Sequence, residues 1–274
     1  MRTPVVREPA VAGRFYPADP VELRATVDAL LDEVPAPPPD APVPRAVIVP
    51  HAGYVYSGST AALAYARVAR GRGTLRRVVV VGPTHRVPVR GVALPGADVF
   101  RTPLGDVPVP HAWAQERLAD VPATGVAPQV HRHEHSVEVQ LPFLQRVLDD
   151  VDVVPLLAGD ALGEEVADVL ESLWDDRTLV VASSDLSHYL TYDEARRVDA
   201  GTIAQITELD APLDHLQACG ATPVNGLLVA ARRRGLRPIL LGACSSGDTA
   251  GDRSRVVGYC SFAFDGPEEG DGDD

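Results

Sequence analysis

Four consecutive valines, Val78 to Val81, held between Arg77 and Gly82, are the strongest constraint on how this chain can fold. A β-branched run with no polar interruption has no face for solvent, so as a strand it must be covered on both sides. Similar runs recur at Arg45–Pro50, Asp152–Leu157, Thr178–Ser183 and Arg237–Leu241. Between them lie stretches whose apolar spacing predicts helices: Pro20–Glu33, Ser57–Arg70, His111–Leu118, Ser136–Leu148, Leu162–Trp174, Asp193–Thr207 and Pro223–Arg234. Strands alternating with helices predict an α/β fold, a single domain with a mixed, mostly parallel central sheet and helices on both faces. Val256–Phe264 alternates more and is expected as an edge or antiparallel strand. Arg90–Leu94 and Val99–Thr102 are candidates for an edge hairpin near His85. Asp19 and Ser57 are expected helix caps.

The domain is expected to span residues 1–264. The Pro-rich stretch Val34–Val43 reads as an extended connector within it, because only one helix precedes it. The acidic, Gly-rich segment 265–274 is expected to be a disordered tail. A net charge of −13 argues against binding nucleic acid or an anionic membrane surface. The chain has no lysine, which excludes a Schiff-base mechanism on that residue. Three widely spaced cysteines form no disulfide framework and suit a reducing compartment. No apolar run reaches membrane-spanning length, and the first residues lack a signal-peptide core, so a cytoplasmic location is expected.

Polar groups collect where strands end. His51 follows the first core strand and opens His51-Ala-Gly-Tyr54; His85 follows the second in Gly82-Pro-Thr-His85. Ligands of open α/β sheets bind at the carboxyl ends of strands, so two imidazoles 34 residues apart can meet there. Imidazole is a common metal ligand and the usual acid or base near neutral pH. The plainer reading makes each a loop histidine satisfied by backbone. Glu134 and His135, in the dense run Val130–Glu138, adjoin a helix start and read as functional; His131 and His133 read as part of a solvated turn. Asp185 and His188 follow the strand Thr178–Ser183, where Asp185 can orient a histidine or simply cap a turn. Cys219 precedes the helix near Pro223, where the helix dipole favours a thiolate; the alternative is a small buried hydrophobe. No CxxC, HExxH, phosphate loop or nucleophile elbow is present.

Taken in order, Ala12-Gly-Arg-Phe-Tyr-Pro17, Pro50-His-Ala-Gly-Tyr54, Gly82-Pro-Thr-His85, Glu134-His-Ser-Val-Glu138, Ser183-Ser-Asp-Leu-Ser-His188 and Cys219-Gly-Ala-Thr-Pro223 resemble the motifs of the Memo family, from about Arg7 to Phe264. The resemblance implies the fold of the class III extradiol (LigB-like) dioxygenases, which hold non-haem iron with two His and one carboxylate. In Memo proteins a Cys stands in place of the carboxylate. Carried over, His51, His85 and Cys219 are the expected metal ligands and His188 the acid–base group beside Asp185. Glu134 and His135 line the same pocket, and Tyr54 is expected to donate a hydrogen bond nearby. The sequence departs from animal members, which carry Cys-Gly-Arg-His-Pro where this chain has Cys219-Gly-Ala-Thr-Pro223. That puts in doubt any function that uses the Arg-His pair.

Three functions compete. The first is a metal-dependent redox enzyme with Fe(II) as the expected metal and copper or zinc as alternatives, since a thiolate softens the ligand set. Its substrate would be a small molecule or a peptide. The second is a non-catalytic binding module that keeps the pocket for peptide or partner recognition. The third is a hydrolase using zinc-activated water with Glu134 or His188 as base. Prokaryotic members of the family, the protein B type of the AmmeMemoRadiSam system, are associated with radical-SAM and AMMECR-type proteins, which are therefore expected partners.

Overall fold

The computed structural model describes residues 3–249 and 251–267. The strands are β1 (Val6–Arg7), β2 (Ala46–Val49), β3 (Arg77–Pro83), β4 (Val92–Leu94), β5 (Val99–Thr102), β6 (Gly105–Pro108), β7 (Thr124–Val126), β8 (Asp152–Ala158), β9 (Thr178–Ser183), β10 (His188–Leu190), β11 (Arg237–Ser245) and β12 (Val256–Asp265). The main sheet runs β10-β12-β2-β9-β3-β8-β4-β7, with β11 also paired to β12. Its centre is parallel: β2 pairs with β9, β9 with β3 and β3 with β8. The sheet turns antiparallel where β12 joins β2 and where β4 joins β8. The α/β, mixed and mostly parallel expectation therefore holds, with a second small sheet β1-β5-β6 beside it.

The valine run shows why. Val78 and Val80 point into one apolar cluster with Leu23, Val27, Ala61 and Phe143, and Val79 and Val81 point into the other with Leu170, Leu173, Leu227 and Leu228. Side chains alternate along a strand, so a strand buried on both faces needs apolar residues at every position. Helices Pro20–Asp32, Tyr54–Val68 and Leu141–Val147 cover the first face. Helices Gly163–Leu173 and Ala221–Arg233 cover the second.

One local expectation holds and several are corrected. Asp19 caps its helix through Oδ1, which accepts from Val21 and Glu22 N–H at 2.9 Å each. Ser57 is no cap: the helix begins at Tyr54 with Gly53 as its cap, and the buried Ser57 donates to Ala52 O. The expected helix Ser136–Leu148 is a short 3₁₀ turn, Glu138–Gln140, followed by Leu141–Val147, because the buried Ser136 is tied to Pro83 O instead. Val92–Leu94 and Val99–Thr102 do not pair with each other; the first extends the main sheet and the second forms a hairpin with β6. β12 is antiparallel but lies inside the sheet, between β2 and β11. Asp265 does not open a tail: it ends β12, buried, with its carboxylate paired to Arg67 at 2.9 Å. The rest of the expected acidic tail, from residue 268 onward, lies outside the described residues. All three cysteines are free, and no helix among the described residues is long and apolar enough to cross a membrane.

Candidate metal centre

β2, β9 and β3 are neighbours, so their carboxyl ends deliver three polar turns to one edge. β2 ends at Val49 and leads to His51; β3 ends at Pro83 and leads to His85; β9 ends at Ser183 and leads to Asp185 and His188. Cys219 arrives from the other side, just before the helix that starts at Ala221. Gly220 makes this approach possible, because a Cβ there would sit 2.6 Å from the Ser184 side chain and 2.7 Å from Ser183 O. Gly82 does the same for the turn that carries Glu134 and Ser136: its Cβ would lie 2.6 Å from Ser136 Oγ.

The three expected ligands converge. One donor atom each from His51, His85 and Cys219 lies within 4.8 Å of the others, and Cys219 Sγ is 3.3 Å from His51 Nε2. Thiolate and imidazole ligands of one tetrahedral ion stand about 3.5 Å apart, which this contact matches. The hydrogen bonds also set which nitrogen is free. Ser183 Oγ donates its proton to Ser136 O at 2.6 Å and accepts from Gln140 Nε2 at 2.9 Å. Its contact with His51 Nδ1, at 2.9 Å, must then run from the imidazole N–H, which leaves the Nε2 lone pair facing the sulfur. His85 Nδ1 donates to Glu134 Oε1 at 2.9 Å, so its free nitrogen is also Nε2.

Glu134 is a buried clamp. Besides the His85 ring it accepts the backbone N–H of His85, His135 and Ser136 at 2.6, 2.8 and 3.0 Å. Burial pushes its carboxyl up, but the bonds from His135 and His85 outweigh it and hold Glu134 well below the usual carboxylate range. Its two oxygens accept four N–H groups in all, three on Oε1 and one on Oε2, so it positions the turns that carry His85 and His135. His135 stacks on His85 with ring centres 4.7 Å apart, and Phe15 meets His135 edge-on at 4.7 Å.

Asp185 accepts the His51 backbone N–H at 2.7 Å, and burial pushes its carboxyl up. His188 donates Nδ1–H to Leu186 O at 2.8 Å, leaving Nε2 as an acceptor. Asp185, His188 and Cys219 form a second close set that shares the sulfur with the first. Burial and the nearby Asp185 carboxylate push the Cys219 thiol up, opposite to the shift expected from the helix dipole. Burial, reinforced by the neighbouring His135 and His85, pulls His51 well below the usual imidazole range. Two imidazoles whose Nδ1 atoms are held by other groups, with a buried thiol beside them, are a donor set suited to a soft or borderline metal ion.

A cavity of about 650 Å³ opens above this edge, lined by His51, His85, His135, Asp185 and His188. Arg14, Phe15, Tyr56, Tyr189, Arg255 and Tyr259 form its walls and mouth. Tyr54 is a correction: its hydroxyl turns into the core and donates to Val139 O at 2.7 Å, away from the site. His131 is a second correction: it lies in no solvated turn but is buried, with Nε2 donating to Ala93 O at 2.9 Å. Ser183, Gln140 and Phe15 were not anticipated. Gln140, a polar residue inside an apolar helical stretch, carried the one signal that could have marked it.

Comparison with known proteins agrees with the motif order. The family described as Memo-like protein matches residues 7–263. A MEMO1 family protein of Methanopyrus kandleri is 37% identical, covering 94% of this chain and 98% of its own length. MEMO1 family proteins of Sulfolobus acidocaldarius, at 34%, and Archaeoglobus fulgidus, at 37%, each match over 99% of their own length, covering 95% and 94% of this chain. On this evidence, with His51, His85 and Cys219 gathered at one sheet edge, the chain belongs to the Memo family.

Proposed function

We propose that this protein is a metal-dependent redox enzyme whose ion is held by His51, His85 and Cys219. The observation that carries the reading is the convergence of the three donor atoms within 4.8 Å, with hydrogen bonds leaving Nε2 free on both rings. Fe(II) is the expected ion, with copper as the nearest alternative because thiolate replaces carboxylate. When bound, the metal supplies an open coordination position and electron-transfer chemistry. The chain supplies the rest. His188 moves a proton through its free Nε2. Asp185 fixes the His51 backbone, and Glu134 fixes the His85 ring. Phe15, Tyr56 and Tyr259 shield a small-molecule or peptide substrate from water in the cavity. Radical-SAM and AMMECR-type proteins are the partners to test by co-purification.

Metal analysis of anaerobically purified protein tests the reading. Stoichiometric iron or copper, lost in His51→Ala and Cys219→Ala, supports it, and oxygen uptake with catechol-like compounds then tests turnover. Stoichiometric zinc would favour a hydrolase with Glu134 or His188 as base. No metal, with peptide binding unchanged in both variants, would favour a binding module.

A further inference from the structure

The triad borders two cavities. His51 and His85 line the large one. Cys219 lines a second, of about 330 Å³, on the β8 side of the site. Its walls are Thr84 and Pro88 from the turn after β3, Asp160 from the end of β8, Thr222 from the following helix, and His215. Gly159 lets the β8 end press against the β3 turn, since a Cβ there would lie 2.1 Å from Val89 O.

The charges at the two mouths differ. Arg14 and Arg255 line the large cavity, and neither has a carboxylate partner among the described residues. Asp252, also in that lining, is turned onto Ser254. The second cavity has no arginine in its lining. Its charged group is Asp160, an exposed carboxylate without a hydrogen-bond partner among the described residues, and His215 adds an exposed imidazole. Carboxylate and imidazole are metal-ligand types, and a cleft lined by one sign of charge raises the local concentration of the opposite ion.

We propose that this second cavity is the route by which a divalent metal ion reaches the triad, with Asp160 and His215 capturing the cation at its mouth. The large cavity is then left to substrate, so the metal is loaded from one side of the sulfur and used from the other. This rests on the triad reading above, and it adds the path that a metal site requires.

The test follows Co(II) uptake by the full-length, metal-stripped protein through the thiolate-to-cobalt absorption band in a stopped-flow experiment. Asp160→Asn with His215→Ala should slow uptake about tenfold and leave the equilibrium affinity unchanged. Pro88→Trp, which fills the passage, should slow both uptake and chelator-driven release. Arg255→Trp, at the other mouth, should leave both rates as in wild type. Rates unchanged in the first two variants, or slowed equally in Arg255→Trp, overturn the proposal. If wild type takes up no Co(II), the triad reading fails instead. The second entrance is then judged by iodoacetamide alkylation of Cys219 in a Cys244→Ser background. Slowing by Pro88→Trp alone supports it, and any other pattern refutes it.

Discussion

Glu138 carries the sharpest stability prediction. It is fully buried, and its carboxylate pairs with the Arg7 guanidinium. It also accepts Ala10 N–H at 2.8 Å, Val11 N–H at 3.0 Å and the Tyr16 hydroxyl at 2.6 Å. One side chain thus ties residues 7–16 to the loop that bears Glu134 and His135. Changing Glu138 to Gln keeps the shape but leaves Arg7, itself 7% exposed, as an uncompensated buried charge, at a cost of about 3–5 kcal/mol. That is a large part of the roughly 5–15 kcal/mol by which a domain is stable. With about 2–4 °C per kcal/mol for a chain of this size, Tm should fall by about 10 °C. Urea unfolding is the better assay, because an unchanged m-value shows that the midpoint shift is a change in stability. Arg7→Met added to Glu138→Gln should recover much of the loss, since the unpaired charge is gone while the amide oxygen still accepts the Val11 N–H and the Tyr16 hydroxyl. A loss below about 1 kcal/mol in Glu138→Gln, or strict additivity in the double variant, would refute the reasoning. The same change should loosen Phe15, which packs on His135, and so weaken metal retention before the protein unfolds.

Ser183→Ala should lower metal affinity about 10–100-fold in a chelator competition, because His51 loses the acceptor that fixes its tautomer while all three ligands remain. Tyr54→Phe should leave metal content unchanged and cost about 1 kcal/mol in urea unfolding, since it removes one core hydrogen bond. His131 predicts a pH dependence. Burial, partly offset by the Ala93 carbonyl, lowers its pKa from 6.5 to about 4. The unfolded chain therefore binds the proton first, and the stability from neutral His131 is full above pH 6.5 and lost as pH falls towards 4. Across that window wild type should lose about 3 kcal/mol more than His131→Gln in urea midpoints; parallel curves would contradict the assignment.

The fold was legible where every residue of an element agreed on its environment. Val78 to Val81 can occupy only a strand covered on both faces, and both the strand and its place in the sheet followed. Elements were misjudged where tertiary contacts overruled local signals. Ser57 has the chemistry of a cap, but the packing of Tyr54 starts the helix three residues earlier. β11 runs on to Ser245, beyond its apolar stretch, because β12 supplies a long antiparallel template. The expected ligand set rests on the order of motifs, not on spacing: residues 51, 85 and 219 share no period, the adjacency of β2, β9 and β3 brings the first two to one edge, and the turn before the helix Ala221–Arg233 brings the third. The supporting groups were harder still. Ser183 looks like the last residue of a strand, and nothing local marks its hydroxyl as the hinge between Gln140, Ser136 and His51.

The parallel order of β2, β9 and β3 also sets when the centre can exist. Parallel neighbours need long crossovers, and these three strands are joined through segments spanning more than a hundred residues of the chain. Such non-local pairing is slow to form, so a growing polypeptide offers only scattered imidazoles and thiols until its last third has docked. A cation captured afterwards stabilises the whole cooperative unit, not one loop of it. Withdrawing it should therefore lower the melting of the β-sheet signal and of the Trp113 and Trp174 fluorescence together, in a single transition.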